Sequence, residues 1–358
     1  MTALRRACPW AGFFVFFAVF IGLALPAPAY AAHPGPVLYR ASAVGESRIL
    51  TGPGGETVTY VKKGTRIDVL EVDPCYAYVR AEGYEGYMWR SRLQDVRPVD
   101  KVNTPPYGVV VYRYLAKAGD NAPVRDAPGA DGAVLNMLHD GAQLGLIGFE
   151  NGWARVIFKR QYGYVDARDL KALTAVKASP DEQAMRAPIS VYTTYYKTDD
   201  TEANQGRMAN IATACGKLSA ITLYPGQSLD FNRDLGPYSQ ENGYHVAPVL
   251  TSGKLRLNYG GGTCQVSSTL YNVALQLPGM TIVYRRAHGA NGASYLPHGV
   301  DAAVGSSTLN LIFRNDYGFP VSIDAASKDG ALTISFWRAE DLAALRGAPD
   351  HLYGGHDD

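Results

Sequence analysis

Cys264 stands where a glycine turn meets an amphipathic segment. Gly260, Gly261, Gly262 and Thr263 precede it, and Gln265, Val266, Ser267, Ser268, Thr269, Leu270, Tyr271 and Asn272 follow. Val266, Leu270, Val273, Ala274 and Leu277 keep helical spacing, and Pro278-Gly279 ends the helix. Glycines let other backbone, or a substrate, approach closely. Unpaired N–H groups at a helix start create a positive potential that favours thiolate over thiol. The same groups, at Cys264 and Gln265, could bind an oxyanion.

A thiolate needs a base for acyl transfer. The candidates are His288, in Arg285-Arg286-Ala287-His288-Gly289, and His298, in Tyr295-Leu296-Pro297-His298. His288 is the better placed, because it directly follows the β-rich run 281–284 and so sits where loops carry chemistry. Asp301, in Gly299-Val300-Asp301-Ala302, could orient an imidazole or simply cap local backbone. The thiol count agrees with a working cysteine. Of four cysteines, Cys8 falls in an N-terminal leader, which leaves Cys75, Cys215 and Cys264, an odd number. Cys215 lies on the apolar face of a helix expected over 207–218, so it reads as a small buried hydrophobe. Cys75 lies in a turn, and no disulfide involving Cys264 is expected.

The elements that hold these residues suggest an α+β C-terminal domain over 189–338. One helix is expected over 207–218 and one over 264–277. Strands are expected over 229–232 and 243–250, with a turn at Pro225-Gly226. The sheet is expected to be mostly antiparallel. The run 260–272 resembles the central motif of the VanW family. The likeness extends upstream to Asn210-Ile211, Phe231-Asn232 and Gly243-Tyr244, and downstream to Arg286, His288, Tyr295, Asp301-Ala302 and Phe313-Arg314-Asn315. It departs at Gly289, where the family commonly has Ser, and in Asn291-Gly292-Ala293. Some VanW-domain proteins are understood to act as L,D-transpeptidases through the motif cysteine. The resemblance therefore implies Cys264 as nucleophile, His288 as base and Asp301 as the orienting group. Gly262, Gln265, Ser267, Ser268 and Tyr295 are then expected to line the substrate.

Ahead of this domain lies an internal repeat. Ile67 matches Leu144, Val69 matches Leu146, Tyr76 matches Trp153, Gly86-Tyr87 matches Gly163-Tyr164, and Leu93 matches Leu170. Each unit alternates apolar and polar residues in short strands between Gly, Pro and Asp turns, a pattern that closes best as a small barrel. Both units, 36–97 and 107–173, resemble the bacterial SH3-like domains found on cell-wall enzymes. The architecture expected is thus two small all-β SH3-like barrels before the α+β domain. Linkers are expected at 98–106 and 174–188, and a flexible tail at 339–358.

Arg5 and Arg6, the uncharged apolar run 11–25 and Ala29-Tyr30-Ala31 together read as a signal peptide, 1–31. The run is shorter than the ~20 residues of a spanning helix, and Pro26 and Pro28 follow it. The expected location is outside the cytoplasm, in the periplasm or beyond, with no membrane contact once the leader is removed. Lys+Arg 34 against Asp+Glu 33 leaves no basic field for nucleic acid. No cofactor motif is present: the triple glycine lacks a following Lys-Ser/Thr, and no metal-ligand spacing surrounds Cys264. The expected partner is peptidoglycan, and its stem peptides the expected substrate. A wall-cutting cysteine peptidase or amidase, and a non-catalytic wall-binding scaffold, remain open from residue types alone.

Overall fold

In a computed structural model of the protein, the described residues are 36–72, 76–99, 109–177, 179–180, 186–251, 254–288, 293–297 and 300–346. The expected leader 1–31, Cys75, most of the 98–106 linker, His298 and the tail beyond 346 lie outside them. The described part is mostly β with few helices. No helix in it is long and apolar enough to cross a membrane.

The first unit contains β1 (Tyr39–Ala43), β2 (Ser47–Leu50), β3 (Thr57–Val61), β4 (Arg66–Val72), β5 (Tyr76–Ala81), β6 (Tyr84–Trp89) and β7 (Leu93–Pro98). They form one antiparallel sheet ordered β3-β2-β6-β5-β4-β1-β7, folded around Ala43, Ile49, Val61, Ile67, Val79 and Met88. The second unit contains β8 (Tyr114–Ala118), β9 (Ala122–Arg125), β10 (Val134–Leu138), β11 (Gln143–Leu146), β12 (Gly148–Glu150), β13 (Trp153–Phe158), β14 (Gln161–Asp166) and β15 (Leu170–Ala175). Its sheets run β10-β9-β14-β13-β12 and β11-β8-β15. This is the order of the first unit once β11 and β12 are taken as two halves of β4. The repeated Gly-Tyr pair has a steric cause: a Cβ at Gly86 would stand 2.4 Å from Leu50 O, and one at Gly163 2.9 Å from Val124 Cγ1.

The last part contains β16 (Ser190–Tyr195), α1 (Glu202–Ser219), β17 (Thr222–Leu223), β18 (Ser228–Asp230), α2 (Phe231–Leu235), β19 (Val246–Thr251) and β20 (Lys254–Tyr259). It continues through α3 (Thr263–Leu275), β21 (Met280–Arg285), β22 (Leu311–Asn315), β23 (Val321–Lys328), β24 (Ala331–Arg338) and α4 (Ala339–Arg346). A four-stranded antiparallel sheet, β16-β24-β23-β17, carries α1 against β23 and α3 against β16 and β24. A second sheet, β18-β22-β21, and the hairpin β19-β20 flank it. Burial of Val266, Leu270, Val273 and Ala274 fixes the rotation of α3, and with it the direction of the opposite face.

Three expectations change. The strand expected over 229–232 stops at Asp230, whose carboxylate accepts the Arg233 N–H at 3.1 Å and starts α2 instead. The tail is helical to Arg346, because Asp341 is fully buried in an ion pair with Lys177. Lys177 itself lies in the expected 174–188 linker, which is pinned at Lys177 N to Pro188 O, 2.9 Å.

The second unit and the last domain also share one core. Tyr112, Leu115, Ile157 and Tyr162 pack with Val191, Tyr192, Leu332 and Ile334. Polar bonds cross the same boundary. Gly145 N donates to Thr193 Oγ1 at 2.7 Å, Thr333 Oγ1 donates to Gln143 O at 2.7 Å, and Tyr112 N donates to Gln276 Oε1 at 2.9 Å.

Breaking the Lys177–Asp341 pair strands a charge with little access to water. Asp341→Ala is expected to cost about 3–5 kcal/mol. The double replacement Lys177→Met/Asp341→Leu is expected to recover most of that loss. Chemical denaturation of the three proteins checks both statements.

Candidate active site

The turn that delivers Cys264 needs glycine. Gly262 has φ 108°, a left-handed conformation that side chains disfavour, and a Cβ on Gly261 would stand 2.6 Å from Pro248 O. Asn210, on α1, braces the turn by donating from Nδ2 to Gly261 O at 2.9 Å and to His245 O at 3.0 Å. Thr263 then opens α3 and Cys264 is its second residue. The sulfur lies between the main-chain groups of Val304, accepting from its N–H at 3.5 Å and donating to its carbonyl at 3.6 Å.

The polar face of α3 reads the segment 300–304 as a ladder. Asn272 Nδ2 donates to Val300 O at 2.6 Å, and Ser267 Oγ donates to Ala302 O at 2.6 Å. Ser268 Oγ accepts from Ala302 N at 2.9 Å. With even-numbered residues of 300–304 turned to α3, Asp301 points the other way. It is 1% exposed, and three donors converge on its carboxylate. His288 Nδ1 is 2.7 Å from Oδ2, His288 N donates to the same oxygen at 2.6 Å, and Arg285 Nη2 donates to Oδ1 at 3.1 Å. Arg285 also donates to Asp301 O at 2.6 Å and stacks over Tyr271, 5.1 Å from the ring centroid.

Nδ1 is thereby committed to Asp301, which leaves Nε2 for the thiol. Burial alone would push the His288 pKa down. Hydrogen bonds to Asp301 and to the Cys264 thiol, with the charges of both, outweigh it and hold the pKa at about 10. Burial likewise raises Asp301, but the His288 side chain and main chain, with Arg285, bring its pKa below the usual carboxylate value. His288 is thus held protonated, paired with the Asp301 carboxylate and beside the Cys264 sulfur. Cys215 contrasts with this: burial pushes its thiol up to about 12, so it is inert.

Two expectations change here. Gln265 N donates to Gly262 O at 2.9 Å, so it is not a free oxyanion donor. Among the described residues, no acceptor takes the Cys264 N–H. Gln265, Ser267 and Ser268 are buried and bonded within the protein, so they hold the site from behind rather than line a substrate. Tyr295 does the same from the loop side, its hydroxyl donating to Cys264 O at 3.0 Å. Sequence reasoning passed over Arg207, Arg285 and Asn272. The last was legible as the continuation of a polar stripe, Cys264, Ser268 and Asn272, at helical spacing.

A cysteine at a helix start, an imidazole and a buried carboxylate, carried on an α+β frame, define a cysteine–histidine–aspartate site. Residues 206–337 match the family described as VanW like protein, and this part of the chain is a VanW-family domain. The uncharacterized protein YoaR of Bacillus subtilis is 32% identical over 159 residues, 44% of this chain and 50% of that one. The vancomycin B-type resistance protein VanW of Enterococcus faecalis is 29% identical over 116 residues, 31% of this chain and 42% of that one. The chain thus spans about half the length of the curated relatives it matches. A solved NlpC/P60 family protein from Bacillus cereus aligns with 40% of this chain and 59% of its own, at 11% identity and TM-score 0.16. Likeness that low carries no argument.

The imidazolium makes a pH signature. Its pKa is raised from 6.5 to about 10, so its contribution to stability is complete below about pH 6.5. That contribution is lost as pH rises through about 10. In a ring-proton NMR titration, His288 is expected to stay protonated well above neutrality. Its midpoint is expected to move down in both Asp301→Asn and Cys264→Ala. A midpoint near that of a free histidine in the intact protein would refute the pair.

Proposed function

We propose that the protein is an exported, cell-wall-acting cysteine acyltransferase of the L,D-transpeptidase type. The observation that supports this reading is the Cys264–His288–Asp301 arrangement, with the imidazole held between the carboxylate and the sulfur. The Cys264 thiolate attacks a peptide carbonyl of a peptidoglycan stem, forming the C–S bond. The oxyanion takes the Cys264 N–H. The C–N bond then breaks, and the His288 imidazolium gives its proton to the leaving amine of the departing D-amino acid. The neutral imidazole next takes a proton from the amine of a neighbouring stem as that amine attacks the thioester. The new amide forms, the thiolate leaves, and the imidazolium is restored. Water in place of the amine makes the same site a hydrolase, and product analysis separates the two.

The first unit is the part suited to hold the wall. It exposes Tyr60, Tyr84 and Trp89, while Tyr162 and Tyr164 of the second unit are buried toward the VanW domain. Tyr60→Ala/Trp89→Ala is expected to weaken co-sedimentation with purified sacculi while leaving acyl transfer intact. Undiminished pelleting would make the first unit a spacer.

Intact-protein mass spectrometry with a tetrapeptide stem tests the chemistry. Wild type is expected to gain the acyl mass and release a D-amino acid. Cys264→Ala forms no adduct, and His288→Ala forms it ~10²–10⁴ times more slowly. An adduct that survives in Cys264→Ala sinks the proposal.

A further inference from the structure

Gln265, the residue after the nucleophile, is spent on another side chain. Its Oε1 accepts from Arg207 Nη2 at 2.6 Å, and its Nε2 donates to Thr194 Oγ1 at 3.1 Å. Arg207 itself runs along the glycine turn. A Cβ on Gly262 would stand 3.0 Å from Arg207 Cγ. The Tyr295 hydroxyl, bonded to Cys264 O, feels the charges of both Cys264 and Arg207. Arg207 is therefore packed on the turn that delivers Cys264 and tied to the residue that follows it.

This cation is set apart from the other arginine of the site. Among the described residues, no carboxylate pairs with Arg207, whereas Arg285 of the same site is paired with Asp301. Arg207 Nε is buried without a hydrogen-bond partner, and Gln265 uses only one of the guanidinium's five donors. A half-buried guanidinium held in place by a neutral amide is costly unless something negative joins it. Resting on the reading of Cys264 as the acyl-accepting nucleophile, we propose that Arg207 is a specificity residue that binds a carboxylate of the acyl donor. Gln265 acts through it as a positioning residue. Arginine suits the task, since its planar fork matches a carboxylate.

The test uses the intact protein and two small alkylating agents of nearly the same shape. Iodoacetate carries a carboxylate and iodoacetamide does not. The ratio of the iodoacetate rate to the iodoacetamide rate at Cys264 is expected to fall about tenfold in Arg207→Gln. Arg207→Lys is expected to keep part of the ratio, and Gln265→Leu to lower it. An unchanged ratio in Arg207→Gln, or an equal loss for both agents, overturns the proposal. Stem peptides then identify the source. Amidating the terminal carboxylate or the side-chain carboxylate of the diamino acid should each be tried, and the one recognised by Arg207 loses its advantage only in proteins that retain Arg207. If neither amidation changes the acylation rate, the proposal fails. If Cys264 alkylates selectively but no peptide acylates it, the acyl-transfer reading fails while the iodoacetate ratio still judges Arg207.

Discussion

A carboxylate removed from water stays ionised only where donors converge on it, and the site depends on that condition being met at Asp301. Two N–H groups of His288 and one of Arg285 meet its oxygens. Each bond also does something else. The His288 main-chain bond fixes where the loop after β21 turns. The ring bond fixes the tautomer, and so directs Nε2 toward sulfur. Arg285 ties the end of β21 to the segment 300–304, and its stacking on Tyr271 ties both to α3. Removing the carboxylate would therefore disturb orientation and charge together.

The helix that carries the nucleophile has two unlike duties. Its apolar face packs against the four-stranded sheet, and its polar face hydrogen-bonds to the backbone of 300–304. The Cys-Gln-x-Ser-Ser sequence is accordingly mostly a positioning device. Cys264 is half-buried at the helix start, while Ser267, Ser268 and Gln265 set the neighbours in place. Neutral hydroxyls and amides serve well here because they bond main-chain groups without adding charge of their own.

Much of this was legible in the sequence. Helical spacing located α3 within a residue or two, and the glycine run marked its start. Cys264, His288 and Asp301 stood out as the residue types that acyl transfer requires, and the structure gathers them into one hydrogen-bonded group. Asp301 was ambiguous, because an aspartate after a glycine turn looks the same whether it caps backbone or orients an imidazole. Arg207 was hidden as one polar residue among several on α1, since its meaning comes from an absence of nearby acid. The start of α2 was missed because Leu229-Asp230-Phe231 reads as a strand until Asp230 is seen to cap the next turn. The shared core was missed for a related reason. Tyr112, Ile157 and Tyr162 are apolar in either context, and periodicity does not say whether a strand's second face meets water or another domain.

That shared core has a consequence for the order in which the chain is made. Synthesis finishes the second unit before residues 189–337 exist, so Tyr112, Leu115, Ile157 and Tyr162 must wait without their partners. During that interval the unit presents a sticky apolar face, and β11 lacks the bonds that Thr193 and Thr333 later supply. The first unit, whose core draws on none of these residues, can complete itself at once. The two copies of the repeated pattern thus have opposite fates on the ribosome. One is finished when it emerges, and the other is half of a domain whose remainder has yet to be translated.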